Sequence, residues 1–278
     1  MKGIFLPKDY PKISVIVPCY NHVTFIEGTL QSILNQGYPN LELIVIDGGS
    51  DDGSVEIIER YAQHLDYWVS ERDEGQTHAL IKGFSHATGD IQCWLNSDDQ
   101  HEPSTLAEVA DYFESHPDVD AVFGDTTWID TDGNALRIQR EIPFNRFIWL
   151  YTYNYVMGMS MFWRRSLYET VGGLDANFNL AMDADLWIRF SHVGRIQHVR
   201  RLWSRMRFYP EMKTVRLGRA GSQEDWTIRL REWGGEPSLF ELKRRIARCL
   251  RILWRFFSGC YYLGYQPKLV TREHYSRD

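Results

Sequence analysis

The chain has few cysteines and none in a pair. Cys19, Cys93, Cys249 and Cys260 are scattered over 278 residues. No C-x-x-C occurs, which excludes a zinc knuckle or a disulfide framework of the usual spacing. Four reduced thiols in a cytosolic protein are expected. An excess of positive charge is also missing. The formal net charge of −6 argues against a nucleic-acid partner. Long apolar runs are absent too, and nothing approaches the ~20 residues that span a bilayer. The nearest candidate, 246–264, is broken by Arg248, Arg251 and Arg255. The opening "MKGIFLPKDYPKIS" lacks the apolar core of a signal peptide. No G-x-G-x-x-G follows the first apolar run and no Walker A sequence occurs, so neither a dinucleotide Rossmann site nor a P-loop is present.

What is there alternates. "KISVIVPCY", "LELIVIDGGS", "DYWVSE" and "DIQCWLNSDD" read as buried strands. Between and after them, "TFIEGTLQSILNQ", "SVEIIERYAQHL", "GQTHALIKGFSHA" and "PSTLAEVADYFESH" carry helical apolar spacing. Ser54 is the expected N-cap of the second helix, and Pro103 is expected to open the fourth. Such alternation predicts right-handed βαβ units and an α/β fold with a mostly parallel central sheet. After residue 118 the pattern changes. "DAVFGDTTWID" and "NALRIQREI" flank Thr131-Asp132-Gly133 as a hairpin, a small antiparallel element. "DADLWIRFSHVG" reads as a helix and "IQHVRRLWSRMRF" as one or two closing strands.

In an open parallel sheet, ligands bind beyond the carboxyl ends of the strands. Those ends hold Pro18-Cys19-Tyr20-Asn21, Asp47-Gly48-Gly49-Ser50, Glu71-Arg72-Asp73-Glu74-Gly75 and Ser97-Asp98-Asp99. A base can stack on Tyr20 and donate its ring N–H to Asp47. A diphosphate beside Asp98 and Asp99 demands a divalent cation, and hard oxygen ligands suit Mn²⁺ or Mg²⁺ at Asp99.

Taken together, "VIVPCYNH", "VIDGGSDDGS", "DEGQTHALIKG", "WLNSDD" and the later "GGLD…MDADLWIRF" resemble an inverting family 2 glycosyltransferase with the GT-A fold, of the kind that assembles bacterial cell-surface polysaccharides. The likeness runs from about residue 12 to about 214. It implies one nucleotide-diphospho-sugar transferase domain, 12–215, with a nucleotide half (12–100) and an acceptor half (101–215). It implies that Pro18, Tyr20 and Asp47 hold the base and that Asp73 and Lys82 face the donor. Asp98 would face the ribose or metal, Asp99 would ligate the metal, and Asp183 would be the catalytic base. The reaction implied is a single displacement, with a sugar moving from a nucleotide-diphosphate donor to a hydroxyl of a glycan or lipid-linked acceptor. Three departures stand out. Ile81 replaces the asparagine that often precedes Lys82, Met182 replaces the glutamate that often precedes the base, and Tyr209 replaces a metal-binding histidine. The Q-x-x-R-W motif of processive synthases is absent, so one sugar per encounter is expected.

Bland roles compete at each position. Asp99 and Asp183 can be helix caps, Asp47 can be turn chemistry, and the cluster Trp149, Tyr151, Tyr153 and Tyr155 can be packing rather than an acceptor platform. Two other functions stand beside the transferase: a sugar nucleotidyltransferase, and a non-catalytic nucleotide-sugar-binding protein at a membrane surface. The tail, 216–278, contains "ELKRRIARCLRILWRFF". On a helical wheel Leu242, Ile246, Cys249, Leu253, Phe256 and Phe257 share one face, with Arg244, Arg248, Arg251 and Arg255 opposite. Such a helix, 241–257, either lies in a membrane interface on the inner face of the cell membrane or packs on the domain with its arginines in water.

Overall fold

The structure is a computed structural model that describes residues 10–261. Most of the N-terminal segment read above, and the end of the expected tail, lie outside the described residues. In chain order the elements are β1 (Ile13–Cys19), α1 (Ile26–Leu34), β2 (Leu41–Asp47), α2 (Ser54–Tyr61), β3 (Tyr67–Ser70), α3 (Gln76–His86), β4 (Ile91–Trp94), β5 (Gln100–His101), α4 (Thr105–Ser115), β6 (Ala121–Ile129) and β7 (Ala135–Gln139). They continue with α5 (Arg146–Tyr151), β8 (Met161–Arg164), α6 (Arg165–Thr170), α7 (Met182–Val193), β9 (Ile196–Arg207), α8 (Lys213–Arg216), α9 (Gly218–Trp233) and α10 (Phe240–Phe257).

One α/β sheet runs in the order β3-β2-β1-β4-β8-β6-β9-β5, with β7 on β6. The half β3-β2-β1-β4 is wholly parallel, as its βαβ connections require. Strand β1 is buried along its whole length, and β2 along all but its first residue, which is why they read as unbroken apolar runs. Beyond β4 the sheet becomes mixed. Strand β8 is antiparallel to both neighbours, while β6 and β9 run parallel. The expected hairpin is β6-β7, and "IQHVRRLWSRMRF" forms a single strand.

Two expected caps are replaced. Ser54 is the first helical residue of α2. Asp52 Oδ1 accepts both its N–H (2.9 Å) and its hydroxyl (2.6 Å), after Gly53 at φ +102°. Helix α4 begins at Thr105, not at Pro103, behind Ser104 at φ +66°.

The tail helices pack on the domain. Helix α9 is clamped to α7 by Asp185, a fully buried carboxylate shared by Arg189 (2.8 Å to Nε) and Arg231 (2.7 Å). Helix α10 packs with Arg251 and Arg255 inward. Arg251 and Arg255 donate to the buried Glu141, each at 2.8 Å, and their side chains are only 12% and 15% exposed. The packed alternative above placed the arginines in water; Arg248 is exposed, but Arg251 and Arg255 turn inward because the buried Glu141 needs cationic donors. The apolar face, with Leu242, Ile246, Leu253 and Phe257, is left exposed. No helix of the described residues is long and apolar enough to cross a membrane.

At the end of the sheet away from the strand tips, Glu42 accepts from Lys12 Nζ (2.6 Å), Ser14 Oγ (2.5 Å), and Thr88 N (2.7 Å) and Oγ1 (2.6 Å). Burial alone would raise its pKa, but these donors outweigh it and bring the carboxyl from 4.5 down to about 2. The folded value lies below the unfolded one. The contribution is therefore whole above about pH 4.5 and is lost as pH falls towards 2. Glu42→Gln is expected to cost about 3 kcal/mol at neutral pH, read from urea midpoints. The difference from the unsubstituted protein should close as the titration is taken below pH 4. A gap that stays constant with pH would remove the carboxylate's charge from the account.

Candidate active site

At the carboxyl ends of β1, β2 and β4 opens a cavity of about 1350 Å³. Six of the expected site residues line it: Pro18, Tyr20, Asp73, Asp98, Asp99 and Asp183. Asn21, Asp47 and Lys82 do not.

The reasons for those three absences are local. Asp47 is fully buried and spends its oxygens on its own loop and β3. It accepts from Gly49 N (3.0 Å), Ser50 N (2.8 Å), Ser50 Oγ (2.5 Å) and Ser70 Oγ (2.7 Å). The turn it braces places Gly48 and Gly49 at the cavity wall. Asp73 closes over Gly48, where a Cβ would come within 3.0 Å of its Oδ2. Asn21 turns back at φ +52° and staples two loops together. Its amide Nδ2 donates to Asp51 Oδ1 (3.1 Å), and its Oδ1 accepts from Asp51 N (3.0 Å). Lys82 points along α3 to an ion pair with Glu71.

The paired acids differ. Asp99 is 2% exposed, and both oxygens are taken, Oδ1 by Arg207 N and Oδ2 by Asn96 Nδ2, each at 2.9 Å. It does not cap α4. Burial, and then the neighbouring charge of Asp98, push its carboxyl well above the ordinary range. Asp98 accepts the Tyr209 hydroxyl on Oδ2 (2.8 Å) and keeps Oδ1 free of protein donors. Arg207 bolts this turn to the hairpin. Its Nε donates to Asp98 O (3.0 Å), and its Nη1 donates to Asp130 O and Thr131 O, each at 2.7 Å. Burial and the two acids raise the Tyr209 phenol, which stays a neutral donor. His22, absent from the expected site, also reaches it, with Nδ1 2.6 Å from Ser97 Oγ and Nε2 3.5 Å from the Tyr209 hydroxyl.

Divalent-cation chemistry is testable on these groups. Among the described residues, no set of three or more His, Cys, Asp or Glu is arranged to hold a metal by itself. Asp98 lines the cavity, and its Oδ1, free of protein donors, is a hard oxygen ligand. It fits Mg²⁺ or Mn²⁺ completed by phosphate oxygens and water. The engaged oxygens of Asp99 make it the poorer ligand of the two.

Asp183 lies in the first turn of α7. Its Oδ2 accepts from Asn154 Nδ2 (2.9 Å) and its Oδ1 from Ala184 N (2.7 Å). Burial, partly offset by the Ala184 hydrogen bond and assisted by the charge of Asp225 on α9, pushes its carboxyl up to about 6. Asn154 comes from the aromatic segment. There Trp149, Tyr151 and Tyr155 are buried packing, while Tyr153 is 48% exposed and lines the cavity. Gly172 and Gly173, at φ +78° and +75°, form a tight turn.

Asn154, Asp225 and the carboxylate of Glu224 behind Asp183 were not foreseen. Nothing in the spacing of α9 signals that it reaches the cavity, yet Gly221, Ser222 and Asp225 line it. The expected start of the tail at 216 thus falls inside the cavity wall.

Comparisons with known proteins bear on the family and the fold. A glycosyltransferase of Mycobacterium tuberculosis named for PGL/p-HBAD biosynthesis is 32% identical over 200 residues, which cover 68% of this chain and 75% of that protein. Staphylococcus aureus TarS 1–349, solved with UDP, superposes with a TM-score of 0.61 at 21% identity, over 89% of this chain and 72% of that one. The present chain spans 43% of the longer TarS chain. A Pyrobaculum calidifontis mannosyltransferase solved with GDP-Man and Mn²⁺ superposes with a TM-score of 0.60 at 20% identity, over 92% of this chain. Both share the α/β fold of this chain. Residues 14–172 match glycosyl transferase family 2, and the chain belongs to that family.

Proposed function

We propose that this glycosyltransferase moves a sugar from a nucleotide-diphosphate donor to an acceptor hydroxyl in a single, inverting displacement. The observation that carries this is the lining of one cavity by two unlike acids: Asp98 with a free oxygen, and Asp183 with a carboxyl raised to about 6. In this reading the nucleoside lies against Pro18 and Tyr20, with Asp73 beside it. The diphosphate approaches Asp98 with Asp99 behind it. A bound Mn²⁺ or Mg²⁺ would neutralise the departing diphosphate.

Asp183 takes the proton of the acceptor hydroxyl as that oxygen attacks the anomeric carbon. The Asn154 amide and the Ala184 N–H aim the carboxylate, and each oxygen retains a lone pair for the proton. One base suffices, because inversion forms no glycosyl–enzyme bond. The absence of Q-x-x-R-W supports transfer of one sugar per encounter. The ligands of the solved neighbours favour UDP or GDP as carrier.

We further propose that α10 lays its exposed face on an anionic membrane, where a lipid-linked acceptor would be presented. Leu242, Ile246, Leu250, Leu253 and Phe257 are 44–81% exposed along one side, with the exposed Arg245 at its margin. Apolar residues edged by an arginine suit an interface between acyl chains and anionic headgroups.

Calorimetry with UDP, GDP and dTDP in Mn²⁺ should give binding to one of them that chelation abolishes; binding to none would sink the transferase reading. Asp183→Asn should keep that affinity within about threefold and lose at least about 10²-fold in turnover. A base must be deprotonated to act. With its carboxyl at about 6, turnover should rise with pH through that value and level off above it. A pH-independent rate would remove Asp183 from the role. For α10, the full chain should sediment with phosphatidylglycerol-rich vesicles, and Leu253→Glu with Phe257→Glu should abolish this without changing nucleotide binding. Unchanged sedimentation would defeat the membrane contact. A wild-type dimer dissolved by the same pair would assign the face to a second copy instead.

A further inference from the structure

The segment that carries Asp183 is held by a helix outside the family match. The turn 178–181 leads into α7, and three of its backbone N–H groups end on one carboxylate of α9. Glu224 accepts from Asn179 N (3.1 Å to Oε2), Leu180 N (2.7 Å) and Ala181 N (2.8 Å). Lys213 grips the same turn from α8, donating to Asn179 O at 2.7 Å. From α3, Thr77 Oγ1 donates to Phe178 O at 2.7 Å. Gly75 permits this approach, since a Cβ there would fall 2.4 Å from Asn179 Nδ2.

A carboxylate that accepts several backbone N–H groups at a helix entrance makes charge-assisted bonds and lies at the positive end of the helix dipole. These bonds fix peptides that have no partners in the sheet or in α7. Asp183 follows two residues after the last of them. Its own oxygens reach only Asn154 and Ala184, so its place is set by the backbone beneath it.

We propose that Glu224 is a positioning residue for the catalytic base, and that α9 is therefore part of the active site and not a dispensable tail. The inference rests on the reading of Asp183 given above. The hydrogen bonds of Glu224 all go to the 179–181 turn, and none goes to the donor wall at the tips of β1, β2 and β4. Loss of Glu224 should therefore damage the chemical step and spare donor binding.

The test is Glu224→Gln in the full chain, followed first by hydrogen exchange, which needs no substrate. Amides of Asn179–Asp185 should exchange about tenfold faster or more, while those of β1 and β2 exchange as before. UDP or GDP affinity in Mn²⁺, whichever binds the wild type, should stay within about twofold. With the matching sugar nucleotide and water or sugar as acceptor, kcat should fall about tenfold with KM for the donor unchanged. Unchanged exchange at Asn179–Asp185 would overturn the proposal, as would uniform loosening of the whole sheet or a parallel loss of donor affinity. Should the glutamine variant not fold, Glu224→Asp keeps the charge but shortens the reach, and the same outcomes decide. A wild-type protein that binds no nucleotide would defeat the transferase reading alone, because the exchange result stands apart from it.

Discussion

The distance between the two ends of the proposed chemistry rests on one aromatic stack. Trp94 closes β4, four residues before Asp98. Trp187 lies one helical turn after Asp183, on the same side of α7. Their rings stack with centroids 5.3 Å apart and planes within 8°. Trp163 of β8 packs edge-on against Trp94 at 5.4 Å and tilts against Trp187 at 5.6 Å. All three indoles are buried. Large rigid rings in a close-packed layer tolerate little change of volume. The strand that ends in the paired acids and the helix that begins with the base are thus registered through the floor of the cavity. Gly158 belongs to the same constraint, since a Cβ would meet Trp94 at 3.0 Å.

The second constraint is electrostatic. A chain of net charge −6 buries Glu42, Asp47, Asp99, Glu141 and Asp185. Each needs its donors nearby, because an unpaired buried carboxylate costs several kcal/mol. The solutions differ with position. Asp47 uses only hydroxyls and backbone N–H groups. Glu42 uses those and a lysine. Glu141 and Asp185 use two arginines each, and these are the pairs that attach α10 and α9. The two terminal helices are therefore anchored by charges that the domain could not otherwise leave buried.

Much of this was legible in the sequence. Strands β1 and β2 announced themselves as apolar, β-branched runs and β4 as a short apolar stretch, and the chemistry at their tips followed from where a parallel sheet binds ligands. What the residue types could not reveal was direction. Asp47 and Asn21 have the right chemistry for a donor, but short polar side chains at a tight turn satisfy their own backbone first. Lys82 is long enough to reach the cavity yet finds Glu71 closer. Asp98 and Asp99 look equivalent as residue types and are told apart by their partners, Tyr209 on the one and Asn96 with Arg207 on the other, two of the three arriving from more than a hundred residues away. Helix α9 was illegible for another reason. "GRAGSQEDWTIRLREW" has almost no apolar periodicity, because its inner face is built from Glu224, Asp225, Arg229 and Arg231. Pattern reading weighs apolar spacing, and a helix held by ion pairs leaves no such trace.

That polar mode of attachment has a consequence for how the two halves of the site communicate. From Asp99 a continuous set of hydrogen bonds runs through Asn96 (2.9 Å) and Gln76 (2.7 Å) to Lys213 (3.2 Å), and from Lys213 to Asn179, whose turn Glu224 holds. The stack of indoles below fixes distance but carries no charge. The polar chain above does, and Lys213 is its one formal cation. Burial lowers the pKa of that lysine, while Glu224 and Asp73 oppose the change. A negatively charged donor entering beside Asp73 would add to that opposition. It would keep Lys213 charged, and so able to donate to Asn179 O. Two rigid walls joined by one responsive cation are a simpler arrangement than a moving lid, and every bond in the chain is already made.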